Sequence, residues 1–311
     1  MTKKLISLII PAYNETDCVD ELARRLSLVF DAEKSYDFEC VIVENGSVDD
    51  TYEKLVSINK ADPRFKILKL ARNFRMDGGL TAGLSVIQGD ACVLMTADLQ
   101  DPPEMIPEFL RLWEQGYENI YGIVTKRDGT SPIRKFNSKL FYRVAGWATN
   151  GRITKDASDF RMVDRKVYES VRSMEERNRF VRGLFSWVGF KSVGIPMVRA
   201  PRHGGVSNAH TFKVIDLALK GIFAHSYIPL KMVSITGLVT SFIAFLGLIW
   251  TIIDAVFYGV PFGGYGSIIS LMLIGIGLLS LLLGVIAEYI ALIYEEVKQR
   301  PNFIVSEKIG L

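Results

Sequence analysis

Oxygen-bearing side chains crowd one short stretch, Thr96-Ala97-Asp98-Leu99-Gln100-Asp101-Pro102-Pro103-Glu104, directly after the apolar run Ala91 to Met95. That run has the length and apolarity of a buried strand, and Pro102 and Pro103 suit the opening of a helix whose first turn carries Glu104. Asp98, Gln100 and Asp101 therefore fall on a tight strand-to-helix turn. Hard oxygen ligands so placed suit Mg²⁺ or Mn²⁺, which bind through one or two carboxylates and leave positions open for a substrate's phosphates. A helix cap explains the same residues about as well, because Asp before Pro-Pro is common turn chemistry.

Other polar clusters also follow apolar runs: Tyr13-Asn14-Glu15, Glu44-Asn45-Gly46-Ser47 and Arg72-Asn73. Ser47-x-x-Asp50 has the spacing of a capping box, which accounts for Ser47, Asp49 and Asp50 as well as ligand contact does. Glu44 and Asn45 lie outside that box, and their position suggests hydrogen bonds to a base or ribose. In Asp159-Phe160-Arg161-Met162-Val163-Asp164-Arg165, alternation puts Phe160 and Met162 on one face and Asp159, Arg161 and Val163 on the other. A structural ion pair is the simpler account of Asp159 with Arg161. Arg177, Arg179 and Arg182 recur at near-helical spacing, and Trp187 to Val198 reads as a strand. Basic Gly-containing stretches at Lys126 to Pro132 and Arg199 to Gly205 read as loops, where guanidinium groups suit phosphate recognition.

These clusters need a scaffold that gathers them. Strand-like runs at Leu5 to Ile10, Phe38 to Val43, Phe65 to Leu70, Ala91 to Met95 and Asn119 to Val124 alternate with helical segments near 17–30, 49–59, 78–87 and 104–115. That rhythm predicts an α/β domain with a doubly wound, mainly parallel sheet. Such sheets bind ligands outside the carboxyl ends of their strands, where the polar clusters fall. The chain has neither G-x-G-x-x-G after the first strand nor G-x-x-x-x-G-K-[ST], so no dinucleotide cofactor or P-loop nucleotide is indicated.

Of 311 residues, 49 % are hydrophobic, and the excess gathers after Met232. Val233 to Phe257 carries one charge, Asp254, and Ile268 to Ala287 carries none; each meets the roughly 20 apolar residues that span a bilayer. Lysines 213, 220 and 231 precede the first span and Lys298, Arg300 and Lys308 follow the second, so both ends are expected to face the cytoplasm. Thr211 to His225 is amphipathic and reads as an interfacial helix. The expected division is 1–210 for a cytoplasmic domain, 211–231 for the juxtamembrane segment, 232–294 for two transmembrane helices and 295–311 for a cytoplasmic tail. The Lys3-Lys4 start lacks a cleavage-site pattern, so a signal peptide is not expected. A net charge of +3 without a basic aromatic stripe gives no sign of nucleic acid binding. Cys18, Cys40 and Cys92 have no metal-ligand spacing and read as reduced thiols.

Pro11-Ala12-Tyr13-Asn14-Glu15, Arg72-Asn73-Phe74, Asp98 to Glu104, Asp159 to Arg165 and the two C-terminal spans together resemble the family-two glycosyltransferases acting on polyprenyl phosphates. Bactoprenol glucosyltransferases of O-antigen modification are the nearer members and dolichyl-phosphate mannose synthases the more distant. The resemblance implies a type-A glycosyltransferase fold, a nucleotide-sugar donor, a divalent metal, a bacterial inner-membrane location and a homo-tetramer. It departs from the family's pattern at Thr96, where an Asp is usual, at Glu44-Asn45, where Asp-Asp or Asn-Asp is usual, and at Asn208-Ala209, where a basic-aromatic pair is usual.

By that resemblance Pro11, Tyr13, Glu15, Glu44, Asn45, Ala97 and Arg202 surround the donor nucleotide, UDP-linked by expectation, and Asp98 with Gln100 holds Mg²⁺ or Mn²⁺. Asp159, Arg161 and Asp98 form the catalytic set, with Arg161 and Arg182 on the acceptor phosphate. Asp159 is the base candidate, although a phosphate monoester, with a second pKa of about 6, arrives mostly deprotonated, so an orienting role serves as well. Two other readings stay open: a membrane-tethered sugar-nucleotide-binding protein, and a transferase with a different lipid or polymer acceptor.

Overall fold

The protein is described by a computed structural model over residues 3–126, 157–177, 179–199, 228–258 and 264–311. Strand β1 (Lys4–Ala12) sits inside the sheet, so its residues point alternately into two separate cores. Ile6, Leu8 and Ile10 join one, and Ile9 joins the other. Helices α1 (Val19–Ala32), α2 (Thr51–Ala61) and α4 (Ile106–Glu114) supply Leu22, Leu26, Leu55 and Phe109 to the first core. Helices α3 (Arg75–Val86), α5 (Arg165–Arg172) and α6 (Val181–Trp187) supply Leu80, Leu84, Val167 and Leu184 to the second. Helices thus cover both faces, as the alternating pattern predicts.

With β2 (Tyr36–Glu44), β3 (Phe65–Leu70), β4 (Ala91–Leu94), β5 (Asn119–Lys126), β6 (Ala157–Asp164), β7 (Ser192–Val198) and β8 (Val305–Ile309), the sheet runs β7-β5-β6-β4-β1-β2-β3-β8. Pairs β1–β2, β1–β4, β2–β3 and β5–β7 are parallel. Strand β6 runs antiparallel between β4 and β5, with Leu94 opposite Arg161. Its first residues therefore stand at the edge where β1, β2 and β4 end. The sheet is mixed, and the reversal brings Asp159 to the carboxyl side.

Two local expectations change. The strand expected over Trp187 to Val198 begins only at Ser192, because Val181, Leu184 and Phe185 bury one helical stripe and extend α6 to Trp187. The tail expected over 295–311 contributes β8, which pairs antiparallel with β3. Ala71 N donates to Ile304 O at 2.9 Å, and Tyr52 Oη to Glu307 Oε2 at 2.6 Å. Strand β8 thus pairs one edge of β3 that would otherwise be open.

The chain divides into two compact units, Met1–Val214 with Gln299–Leu311, and Ile215–Lys298. The second contains α7 (Ile228–Tyr258) and α8 (Tyr265–Lys298), starting earlier and ending later than the spans read from sequence. Both are long and apolar enough to cross a membrane, with mean hydropathy of 1.7 over Leu230–Gly247 and 2.3 over Ile274–Lys298. Leu238, Phe242, Leu271 and Leu283 lie exposed along them. The amphipathic segment before α7 lies outside the described residues up to 227. Cys18, Cys40 and Cys92 are buried and free.

Candidate active site

At the end of β1 the chain turns at Asn14, which has φ 54°. Asn14 N donates to Ser47 Oγ at 3.1 Å, and its Oδ1 accepts from Val48 N at 2.9 Å, which locks the ends of β1 and β2 together. Glu15 N donates to Thr51 Oγ1 in the same way. The capping box expected from Ser47 and Asp50 does not form: Asp49 Oδ1 accepts from Thr51 N and Thr51 Oγ1, leaving Ser47 to hold Asn14. Gly46 (φ 71°) is required because a Cβ there would lie 2.5 Å from the backbone carbon of Arg72.

The residues expected around a nucleoside are placed unequally. Tyr13 is 38 % exposed, whereas Pro11 is buried against α3, where a Cβ on Gly79 would meet it at 2.9 Å. Ala97 is buried in the first core. Glu44 is 1 % exposed; its Oε1 accepts from Ser47 N at 2.5 Å, and its Oε2 is buried without a hydrogen-bond partner. A buried carboxylate oxygen with no donor calls for a ligand or water to supply one. Asn45 is already engaged: Oδ1 accepts from Phe74 N and Nδ2 donates to Arg75 O, both at 2.9 Å. It ties the end of β2 to the start of α3.

The Asp98 turn is tight enough to put buried Leu99 at φ 58°, a strained conformation for a branched apolar residue. Asp98 is 5 % exposed, and its Oδ1 accepts from Gln100 N at 3.3 Å. Thr96 Oγ1 lies 2.7 Å from Asp98 Oδ1 and 2.8 Å from Asp101 Oδ2, and Thr96 N donates to Asp101 Oδ2 at 3.2 Å. Asp101 is fully buried, and burial pushes its carboxyl above the usual range despite Arg199, whose Nη2 lies 3.4 Å from Asp101 Oδ1. Asp101 therefore braces the turn while Asp98 and Gln100 lie nearer its surface.

Among the described residues no three His, Cys, Asp or Glu side chains gather to hold a metal. One carboxylate at Asp98, with Gln100 two residues further along the turn, fits a Mg²⁺-type ion that takes its remaining ligands from phosphate and water. It does not fit a site that encloses a metal with protein alone.

Asp159 stands at the start of β6 facing α6. Arg182 Nε donates to Asp159 Oδ1 at 2.7 Å and Arg182 Nη2 donates to Asp159 Oδ2. Arg161 is 2 % exposed, with its Nη2 donating to Ser158 O at 3.2 Å and its guanidinium 5.2 Å from the Phe185 ring centre. Burial lowers the Arg161 guanidinium to about 10, which leaves it charged at neutral pH. Arg179 donates to Val171 O at the end of α5, so it serves the fold there. Arg202 and residues 127–156 lie outside the described residues.

The sequence marks Arg199 only as the start of a basic loop. It closes β7 beside Asp101, and its Nε is buried without a hydrogen-bond partner. The signal available was its place directly after an alternating strand.

Residues 7–172 match the model for glycosyl transferase family 2. The chain belongs to glycosyl transferase family 2. This family-2 glycosyltransferase is 39 % identical over 305 residues to the uncharacterised glycosyltransferase YkcC of Bacillus subtilis, covering 98 % of this chain and 94 % of that one. It is 34 % identical over 303 residues to the SfII prophage-derived bactoprenol glucosyl transferase of Shigella flexneri, covering 97 % of each. Among solved structures, glucosyl-3-phosphoglycerate synthase of Mycobacterium tuberculosis in complex with Mn²⁺ and UDP-glucose is 17 % identical, covers 71 % of this chain and 77 % of its own, and gives a TM-score of 0.49. The glycosyltransferase has the mixed sheet and flanking helices of the type-A fold.

Proposed function

We propose that this glycosyltransferase moves a hexose from a nucleoside diphosphate sugar, UDP-glucose foremost, to the phosphate of a polyprenyl lipid such as undecaprenyl phosphate. One observation carries the reading: similarity to a protein named for glucosyl transfer to bactoprenol runs through 97 % of the chain, apolar helices included.

In this mechanism Tyr13, Glu15 and the partnerless Glu44 Oε2 meet the nucleoside, over Pro11, Asn45 and Ala97, which shape the floor. Mg²⁺ or Mn²⁺ held by Asp98 and Gln100 would supply Lewis-acid stabilisation of the diphosphate leaving group. Arg202, with Lys126 or Arg127, clamps phosphate oxygens. The acceptor phosphate, with a second pKa of about 6, attacks the anomeric carbon already ionised, from the side opposite the nucleotide, and inverts it. Asp159 has little proton transfer to perform. Its two oxygens receive Arg182, so it orients that guanidinium, and Arg161 adds positive charge behind it.

Membrane anchorage by α7 and α8 belongs to the same proposal. Two crossings return the chain to the side it left, and β8, which follows α8, lies in the catalytic sheet. Both ends of the hairpin then lie on one side, and the flanking lysines support the cytoplasm of a bacterial inner membrane as that side. Assembly as a homo-tetramer is part of the proposal and is read by mass in detergent.

The test is transfer of radiolabelled sugar from a panel of UDP- and GDP-sugars to undecaprenyl phosphate, with Mn²⁺, with Mg²⁺ and with chelator. Metal-dependent lipid-linked product from one donor supports the proposal and names the sugar. Donor binding without product from any member replaces it with a sugar-nucleotide-binding protein, and product only with another acceptor replaces the lipid.

A further inference from the structure

We propose that Asp77 is a positioning residue for the Asp159–Arg182 pair, acting through the first turn of α6; its catalytic meaning rests on the transferase reading above. Helix α6 starts at Val181 after Phe180, a residue whose side chain offers no acceptor to the open N–H groups of a helix start. The acceptor comes from α3 instead. Asp77 Oδ1 accepts from Val181 N at 2.9 Å, across 104 residues of sequence. Arg182 is the next residue, and its Nε and Nη2 both reach Asp159. Displacing Val181 would swing the guanidinium away from the carboxylate.

Asp77 itself stands on a fixed part of α3. Asn45 holds the turn before it through Phe74 N and Arg75 O, and Gly79 packs against Pro11 just after it. The sheet thus sets α3, α3 sets α6 through one carboxylate, and α6 sets Arg182. Burial raises the Asp77 carboxyl and the Val181 N–H opposes it, with smaller effects from the Asp159 and Arg182 charges. A cap that served stability alone would weaken both substrates' kinetics together. A positioning residue acts on the acceptor side and spares the donor.

The experiment uses the full chain in detergent with UDP-glucose, the other panel donors and undecaprenyl phosphate, comparing wild type, Asp77→Ala, Asp77→Asn and Val181→Pro. Asn keeps an oxygen acceptor, while Pro at the first helical position keeps the helix and removes the N–H. Asp77→Ala and Val181→Pro are expected to raise the acceptor KM roughly tenfold, the scale of one lost helix cap, with the donor KM within about twofold of wild type. Asp77→Asn is expected to restore the acceptor KM to within about twofold. Hydrogen exchange at residues 182–184 is expected to quicken in Asp77→Ala and Val181→Pro and to stay at the wild-type rate in Asp77→Asn. Equal rises in both KM values, or unchanged exchange at 182–184, overturn the proposal. Wild type that transfers from no donor overturns the transferase reading alone, and exchange then decides whether Asp77 holds α6.

Discussion

Arg182 grips Asp159 with two nitrogens, Nε to Oδ1 at 2.7 Å and Nη2 to Oδ2, and so joins α6 to the first residues of β6 at the carboxyl edge of the sheet. Burial acts to raise the Asp159 carboxyl, and the Arg182 guanidinium outweighs it, holding the group below the usual range. A carboxyl lowered in the folded state contributes stability that is present above its unfolded pKa and lost as pH falls through the folded value. Arg182→Ala leaves burial unopposed by that partner and raises the folded carboxyl, so the variant's deficit against wild type is largest at neutral pH and narrows as pH falls through the unfolded pKa toward the wild-type folded value. At neutral pH the variant is expected to lose about 1.5–3 kcal/mol, the scale of a hydrogen bond to a charged group. Urea unfolding between neutral and acid pH checks both statements.

Asp159→Asn separates orientation from proton transfer. If Asp159 orients Arg182, the rate falls roughly tenfold at every pH, and the acid limb stays near pH ~6, where the acceptor phosphate titrates. A general base would instead take the limb away with it. The pH profile of kcat for the two proteins decides.

Asn45→Ala removes the partners of Phe74 N and Arg75 O at once. Leaving such groups unsatisfied is expected to cost about 2 kcal/mol or more and to free the first turn of α3. Chemical denaturation measures the loss. Donor affinity should fall with it, because Asn45 ties the end of β2, which carries Glu44, to the start of α3.

Thr96 links Asp98 and Asp101 with one hydroxyl. Thr96→Asp puts a third carboxylate there, beside the buried Asp101. The expected result is a less stable protein at neutral pH, by roughly 1–3 kcal/mol, since like charges and burial both oppose ionisation. It should also bind Mn²⁺ more tightly in the presence of UDP, read by the electron paramagnetic resonance of free Mn²⁺. Thr96→Val should show the first effect without the second.

Removing residues 300–311 strips β8 from β3 and with it the Tyr52–Glu307 and Ala71–Ile304 hydrogen bonds. An unpaired strand edge promotes association. The truncated protein is expected to melt earlier and to aggregate at the purification step, as light scattering and a thermal scan would show. Glu307→Gln, which keeps the strand, should do neither.

The sequence by itself determined whatever depends on near neighbours. The alternation of strands and helices from Leu5 to Gln115, the Asp98 turn and the two apolar helices were legible because periodicity, turn residues and hydrophobic length are local properties. Cluster positions after strands also placed Tyr13, Glu44 and Asp98 at one edge, since parallel strands end on one side.

Tertiary structure alone decided which of those groups touch. Nothing local shows that β6 enters reversed between β4 and β5, yet that reversal carries Asp159 to the carboxyl edge of the sheet and lets Arg182, rather than Arg161, pair with it. The tail became an edge strand because β3 had an open side, and Asn45 turned to the backbone of residues 74 and 75 because α3 packs against β1. Asp77 met Val181 for the same reason: a helix start without its own cap takes the acceptor that packing brings to it. Such pairings join residues far apart in the chain, and only burial of both faces of the sheet determines which of them meet.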